Sequence, residues 1–267
     1  MRRRMPPWQS GAVATDPLFE TLLTEAESVP VDGWDFSWFA GRASERRPSW
    51  GYARLISERM AGAGAALDLQ TGGGEVLAGI QAPPAVLCAT ESWPPNLPIA
   101  RRNLAPLGGR VVQVGDDQPL PFGSESFDLV VSRHPTVVLW SEIARVLRPG
   151  GCYLAQQIGI GSNRELYEFL MGPLPHPPGD GSQQARDRLT AAGLVARDVR
   201  HESLKVRFDD IGAVVVFLRK VVWTVPNFSV QRYRVRLAEL HELIRQEGPF
   251  VSHSQRLLVD AVKPARD

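Results

Sequence analysis

The sequence predicts an α/β fold: an open, mostly parallel sheet with helices on both faces. Three observations lead there. Compact apolar runs rich in Val and Leu recur between residues 65 and 159, helical patterns separate them, and a glycine turn follows the first run. Near-continuous apolar runs mark strands buried on both faces, and their alternation with helices gives right-handed βαβ units.

The elements follow in order. Residues 1–15 read as an unstructured terminus, 16–64 as a helical N-terminal addition and 65–267 as the main domain. In "DPLFETLLTEAE", Asp16 is an N-cap candidate, Pro17 takes the first helical position, and apolar residues recur at helical spacing. Trp34, Phe36, Trp38, Phe39, Trp50 and Tyr52 crowd the next stretch, which reads as loop and short turns before the helix "SWGYARLISERM".

"AALDLQTG", "AVLCATE", "RVVQVG", "FDLVVSRH" and "GGCYLAQQIG" read as successive strands. "PIARRNLAPLG" and "TVVLWSEIARVLRPGG" read as helices between them, the second stopped by Pro149-Gly150-Gly151. Beyond them, "SNRELYEFLMG" and "SQQARDRLTAAGL" read as helices around a Pro- and Gly-rich loop at 172–181 that carries His176. A long strand, "VARDVRHESLKVRF", precedes an Asp-capped helix, "DDIGAVVVFLRKVVW", whose apolar face packs or covers an acceptor. "SVQRYRVRLAELHELIRQEG" is an amphipathic helix, and "RLLVDAVKP" a last strand.

Composition narrows the function classes. Thirty basic against 29 acidic residues leave a net charge of +1, which gives no global pull towards nucleic acid or anionic membrane. Cys88 and Cys152 sit in apolar runs outside any Cys-x-x-Cys pair, which points to reduced, buried thiols. No apolar run approaches the ~18 residues of a bilayer span, and "MRRRMPPW" has no apolar segment behind it, so a cytoplasmic protein is expected. The five histidines show no metal-ligand spacing, and no metal site is expected.

The first strand-to-helix turn is the place to look for a ligand. Here it reads "DLQTGGGE", with Asp68 and Glu75 flanking the glycines. The spacing differs from Gly-x-Gly-x-x-Gly, and two carboxylates make a poor seat for phosphates. A cofactor with an ammonium, a cationic sulfonium and no phosphate suits them better: S-adenosylmethionine. The alternative is a glycine-rich turn with Asp68 bonded to local backbone. Glu91, at the end of the second strand, can take both ribose hydroxyls of a nucleoside. Asp116 and Asp117, after the third, can accept from an adenine amine or cap a turn. The fourth strand, ending at His134, finishes beside the expected position of the methyl group.

"LDLQTGGG", Glu91, "GDDQPLPFGSESFDLVVSRH" and "EIARVLRPGG" resemble, in order and spacing, the successive motifs of class I S-adenosylmethionine-dependent methyltransferases. The resemblance covers about residues 65 to 160. It implies a Rossmann-like, seven-stranded sheet with an antiparallel last strand. It also implies cofactor contacts at Asp68, Gln70, Thr71, Gly72, Gly74, Glu91, Ser92, Asp116, Asp117 and Arg133. The family usually has glycine where this chain has Gln70, so that side chain must point away from the cofactor or replace one of its waters.

Methyl transfer is an in-line displacement, and a base is needed only when the nucleophile must lose a proton. His134 is the base candidate; it could instead cap a helix or hold the cofactor's methionine end. Arg133 could bind an anionic group or form a structural ion pair. Most of the aromatics at 34–52 are expected to anchor the addition on the main domain, while Trp50 and Tyr52 are expected nearest the cofactor, walling an acceptor pocket under an N-terminal lid. A small-molecule acceptor and a monomer or homodimer are expected. The alternatives are an RNA methyltransferase, resting on "RYRVR", Arg101–Arg102 and an excess of 13 bases over 9 acids in residues 193–267, and a non-catalytic cofactor-binding regulator.

Overall fold

The computed structural model describes residues 16–31, 36–175 and 177–266. The expected unstructured terminus 1–15, Trp34 and His176 lie outside the described residues.

The strands are β1 (Ala43–Glu45), β2 (Ala65–Leu69), β3 (Val86–Glu91), β4 (Arg110–Gln113), β5 (Phe127–Arg133), β6 (Leu147–Ile158), β7 (Val195–Phe208) and β8 (Phe250–Val262). They form one sheet in the order β1-β7-β8-β6-β5-β2-β3-β4. Strands β4, β3, β2, β5 and β6 run parallel, and β8 enters antiparallel between β6 and β7. The eighth strand, against seven expected, is β1: three residues of the N-terminal addition that pair antiparallel with the edge of β7.

The two faces of the sheet bury alternate side chains, as a strand period of two requires. Ala66, Leu129 and Val131 face a core with Ile56 and Met60 of α2 (Tyr52–Ala61) and Leu104 of α4 (Asn96–Leu104). Leu67, Val130 and Tyr153 face the opposite core with Ile143 and Val146 of α5 (Trp140–Val146) and Leu189 of α7 (Ser182–Ala191). A third cluster joins α1 (Pro17–Ser28), α6 (Arg164–Met171), α8 (Ile211–Lys220) and α9 (Val230–Glu247) over the β7 end. Asp16 caps α1 and Asp210 caps α8, each accepting a backbone N–H of the first turn.

One helix is shorter than its pattern. The run from Thr136 to Gly151 reads as a single helix, but α5 ends at Val146 and β6 begins at Leu147, which pairs with Phe127. Pro149 cannot continue a helix, and the Gly150 N–H instead donates to the Lys263 carbonyl at 2.8 Å. The tail of the chain draws these residues into the sheet.

Candidate active site

Register brings the acids and bases of the crest together. In β2, Asp68 lies beside Ala89 of β3 and Val131 of β5, so the carboxyl ends of the three strands meet. The chain leaves β2 for β3 and β4 on one side and returns to β5 on the other, which makes this the topological switch point. The turn after β2 runs through Gly72 (φ 64°) and Gly74 (φ 76°) into α3, Glu75–Ala78. Both glycines occupy the left-handed region that a Cβ disfavours.

Glu91 is held in place by the backbone around it. Its Oε2 accepts the Gly72 N–H at 2.7 Å and its Oε1 the Trp93 N–H at 2.8 Å. Burial still raises its pKa, against the pull of those two N–H groups. Asp68 is 7% exposed. Burial pushes its carboxyl up to about 7; the Thr71 hydroxyl opposes the shift, the Glu91 charge adds to it, and Arg133 opposes it. Asn96 adds a buried Oδ1 without a partner. Crowded acceptors of this kind call for a ligand rich in donors and positive charge.

Gln70 adopts a left-handed backbone (φ 55°), rare for a residue with a Cβ. Its side chain reaches across to the loop after β5: Nε2 donates to the Val137 carbonyl (2.6 Å), and Oε1 accepts the Thr136 N–H (2.6 Å). The Thr136 hydroxyl in turn lies 2.6 Å from Oδ2 of Asp116. The glutamine thus clasps the loops after β2 and β5.

A relay of donors fixes His134. The Trp50 indole N–H, which can only donate, meets Oε1 of Gln156 at 2.9 Å. The other end of that amide is therefore its NH₂, and it lies 2.9 Å from Nε2 of His134. Nε2 must accept, so the neutral imidazole carries its proton on Nδ1. Burial, with Arg256 and Arg133 nearby, pushes the His134 pKa well below its ordinary value. With its lone pair engaged in this way, what the His134 ring offers the cavity is the Nδ1–H. Tyr52 offers no base either. Its hydroxyl faces the carbonyls of Ser132 (2.7 Å) and Leu154 (3.2 Å), and burial raises its pKa well above the usual phenol.

A cavity of about 1460 Å³ opens over this crest. Tyr52, Asp68, Gln70, Thr71, Gly72, Glu91, Ser92, Asp116, Arg133 and His134 all line it. Trp50, Gly74 and Asp117 do not. Trp50 is 3% exposed and its ring packs in the core with Ile56 and Met60, so it supports His134 from below instead of walling a pocket. Gly74 caps α3, where a Cβ would lie 3.1 Å from Leu104. Asp117 is exposed in the turn after β4. Gln156, Arg256, Asn96 and Thr136 also line the cavity and are absent from the sequence-based set. A buried amide pair inside the apolar run "CYLAQQIG" was the available signal for Gln156.

The other described histidines sit on separate elements, His201 with Gln255 and Asp180, His241 with Asp16 and His253 with Glu165. Among the described residues no three potential metal ligands cluster, and no helix is long and apolar enough to cross a membrane.

Residues 67–155 match the family model described as a methyltransferase domain. The fold is that of a candidate methyltransferase of Bacillus halodurans (19% identity, TM-score 0.55, covering 79% of this chain and 98% of that one). It is also that of the YcgJ protein of Bacillus subtilis (17%, TM-score 0.59, 80% and 99%). The [4+2]-cyclase SpnF shares it over 93% of this chain and 94% of its own (18%, TM-score 0.50). A comparison with curated proteins found no match. Strand order and crest define a Rossmann-like fold shared with these structures. Residues 67–155 thus form a methyltransferase domain on that fold, in keeping with S-adenosylmethionine-dependent methyl transfer.

Proposed function

We propose that this protein methylates a small-molecule acceptor inside the cavity. The observation that carries the reading is the cavity itself. At about 1460 Å³ it exceeds the ~300–1,000 Å³ of a typical single-ligand pocket, and it runs from the acid-rich crest to a wall of apolar side chains. It has room for a nucleoside cofactor and a second small molecule.

The donor and acceptor chemistry of the crest fits S-adenosylmethionine, which when bound supplies an electrophilic methyl group on a sulfonium. Asp68 receives its ammonium, Glu91 its ribose hydroxyls, and Asp116 its adenine amine. Gly72 lets the ligand lie against bare backbone. Gln70, turned aside into its clasp, leaves that surface open. The chain's part is to bind, align and exclude water.

An RNA acceptor draws less support. Arg234 pairs with Glu20 and Arg236 with Glu239, so that face of α9 is largely neutralised.

Calorimetry with S-adenosylmethionine and S-adenosylhomocysteine on wild type, Asp68→Ala and Glu91→Ala tests the cofactor assignment. Both variants are expected to lose at least tenfold in affinity. Wild-type binding in both would sink it. Affinity for RNA that falls steeply with salt would move the acceptor to nucleic acid.

A further inference from the structure

The cavity has two electrostatic halves. Around the glycine turn its charged lining is Asp68, Glu75, Glu91 and Asp116. The N-terminal addition, α8 and β8 line the other side with Arg46, Arg47, Arg219, Lys220 and Arg256, against Glu45 alone. Apolar side chains, among them Phe39, Tyr167, Met171, Phe208 and Phe217, complete that side. Arg133 and His134 stand at the seam.

We propose that Arg133, His134 and Arg256 form a carboxylate-binding subsite at this seam, and that the methyl acceptor is an apolar monocarboxylate. The inference rests on the methyl-transfer reading above and names the acceptor class for it.

Three observations converge. Arg133 is exposed at the end of β5 and lines the cavity; its side chain makes no hydrogen bond or ion pair among the described residues, and its charge acts on Asp68. Arg256 is 8% exposed. Its Nη2 meets Oε1 of Glu45 at 2.5 Å, while Nη1 reaches the Gln255 carbonyl at 3.0 Å and Ser162 Oγ at 3.4 Å. His134, fixed by Trp50 and Gln156, holds a proton on Nδ1 and serves as a donor. With Asp68 given to the cofactor ammonium in the reading above, two guanidinium charges less the Glu45 carboxylate leave a net charge of about +1, which matches a monoanion better than a phosphate dianion. The apolar walls take the hydrocarbon remainder. Such an acceptor arrives already ionised and asks the chain for no base, in keeping with the engaged lone pair of His134.

The cofactor has a carboxylate of its own, so the test is run with that group in place. Protein saturated with S-adenosylhomocysteine is titrated with benzoate, cinnamate and octanoate, and with benzamide, cinnamamide and octanamide. At least one acid is expected to bind about tenfold or more tightly than its amide. Arg133→Gln and His134→Phe, each saturated with S-adenosylhomocysteine, should remove most of that preference by weakening the acids more than the amides. Equal affinity for acids and amides, or no binding of any acid at millimolar concentration, overturns the proposal. So does an Arg133→Gln variant that binds acids normally. If Arg133→Gln instead weakens S-adenosylhomocysteine, the cluster belongs to the cofactor's carboxylate and the acceptor assignment falls. Failure of the wild type to bind S-adenosylhomocysteine at all would overturn the cofactor reading beneath it.

Discussion

The indole N–H of Trp50 meets Oε1 of Gln156 at 2.9 Å, and through that contact a buried tryptophan sets which nitrogen of His134 carries the proton. Trp50→Phe removes the donor and leaves a buried amide oxygen unpaired. The expected cost is about 1–3 kcal/mol in stability, with the His134 ring shifting from the Nδ1–H form to a tautomer mixture. Nitrogen chemical shifts of the imidazole in wild type and variant read this directly. An unchanged spectrum would mean that the relay does not set the tautomer.

Asp68 gives the site a pH dependence. With its carboxyl raised to about 7, the protein holds a proton there below that pH, and an ammonium bound as proposed above must displace it. Cofactor affinity should therefore rise with pH from about 6 to about 8, with proton release visible as a dependence of binding heat on the buffer. A flat profile across that range would contradict it.

The same shift bears on stability, with the opposite sense. Because the folded-state pKa is raised, the folded form binds more protons than the unfolded chain between the ordinary aspartate value of 3.8 and about 7. Stability contributed by this group falls as pH rises through that window. Asp68→Asn should melt at a higher temperature than wild type at neutral pH, while losing about 10- to 150-fold in cofactor affinity. A lower melting temperature would show that the buried carboxylate is stabilised by contacts outweighing its desolvation.

Gln70→Gly sets two effects against each other. Glycine relieves a left-handed backbone at φ 55°, worth about 1 kcal/mol, while the bonds to Val137 and Thr136 are lost at about 1 kcal/mol each. Global stability should change by about 1 kcal/mol or less, but amide exchange at Thr136 and Val137 should quicken. Unchanged exchange there would show that the clasp does not order the loop.

Asp210 joins the N-terminal addition to the sheet. It accepts the Ala213 N–H at 2.8 Å as the cap of α8 and takes Nε and Nη2 of Arg42 at 2.8 and 3.1 Å; Arg42 lies over the Trp38 ring. Asp210→Ala is expected to cost about 2 kcal/mol in denaturant unfolding. Asp209→Ala, which breaks only the more exposed pair with Arg207, should cost less than about 1 kcal/mol. Equal costs would mean that the cap and the Arg42 contact contribute little.

The crest was legible in the sequence because its cause is local. Apolar runs ending in Asp68, Glu91 and Arg133 specify parallel strands and place those side chains at strand ends, whatever the rest of the chain does. The role of Trp50 was not legible in this way. Its aromatic neighbours point to a pocket wall, but its orientation depends on a strand 106 residues away.

The sequence by itself determined the alternation of strands and helices, the bare-backbone turn and the excess of carboxylates around it, since each follows from residues within one element of each other. Only the tertiary structure decided the chemistry of the other half of the cavity. Strand β8 pairs with β6 so that Arg256 lies beside Ile158, bringing a cation from the last strand next to the Gln156–His134 pair. The physical reason is that sheet register is fixed by burial of both faces over the whole assembly, and no short window of sequence contains that sum.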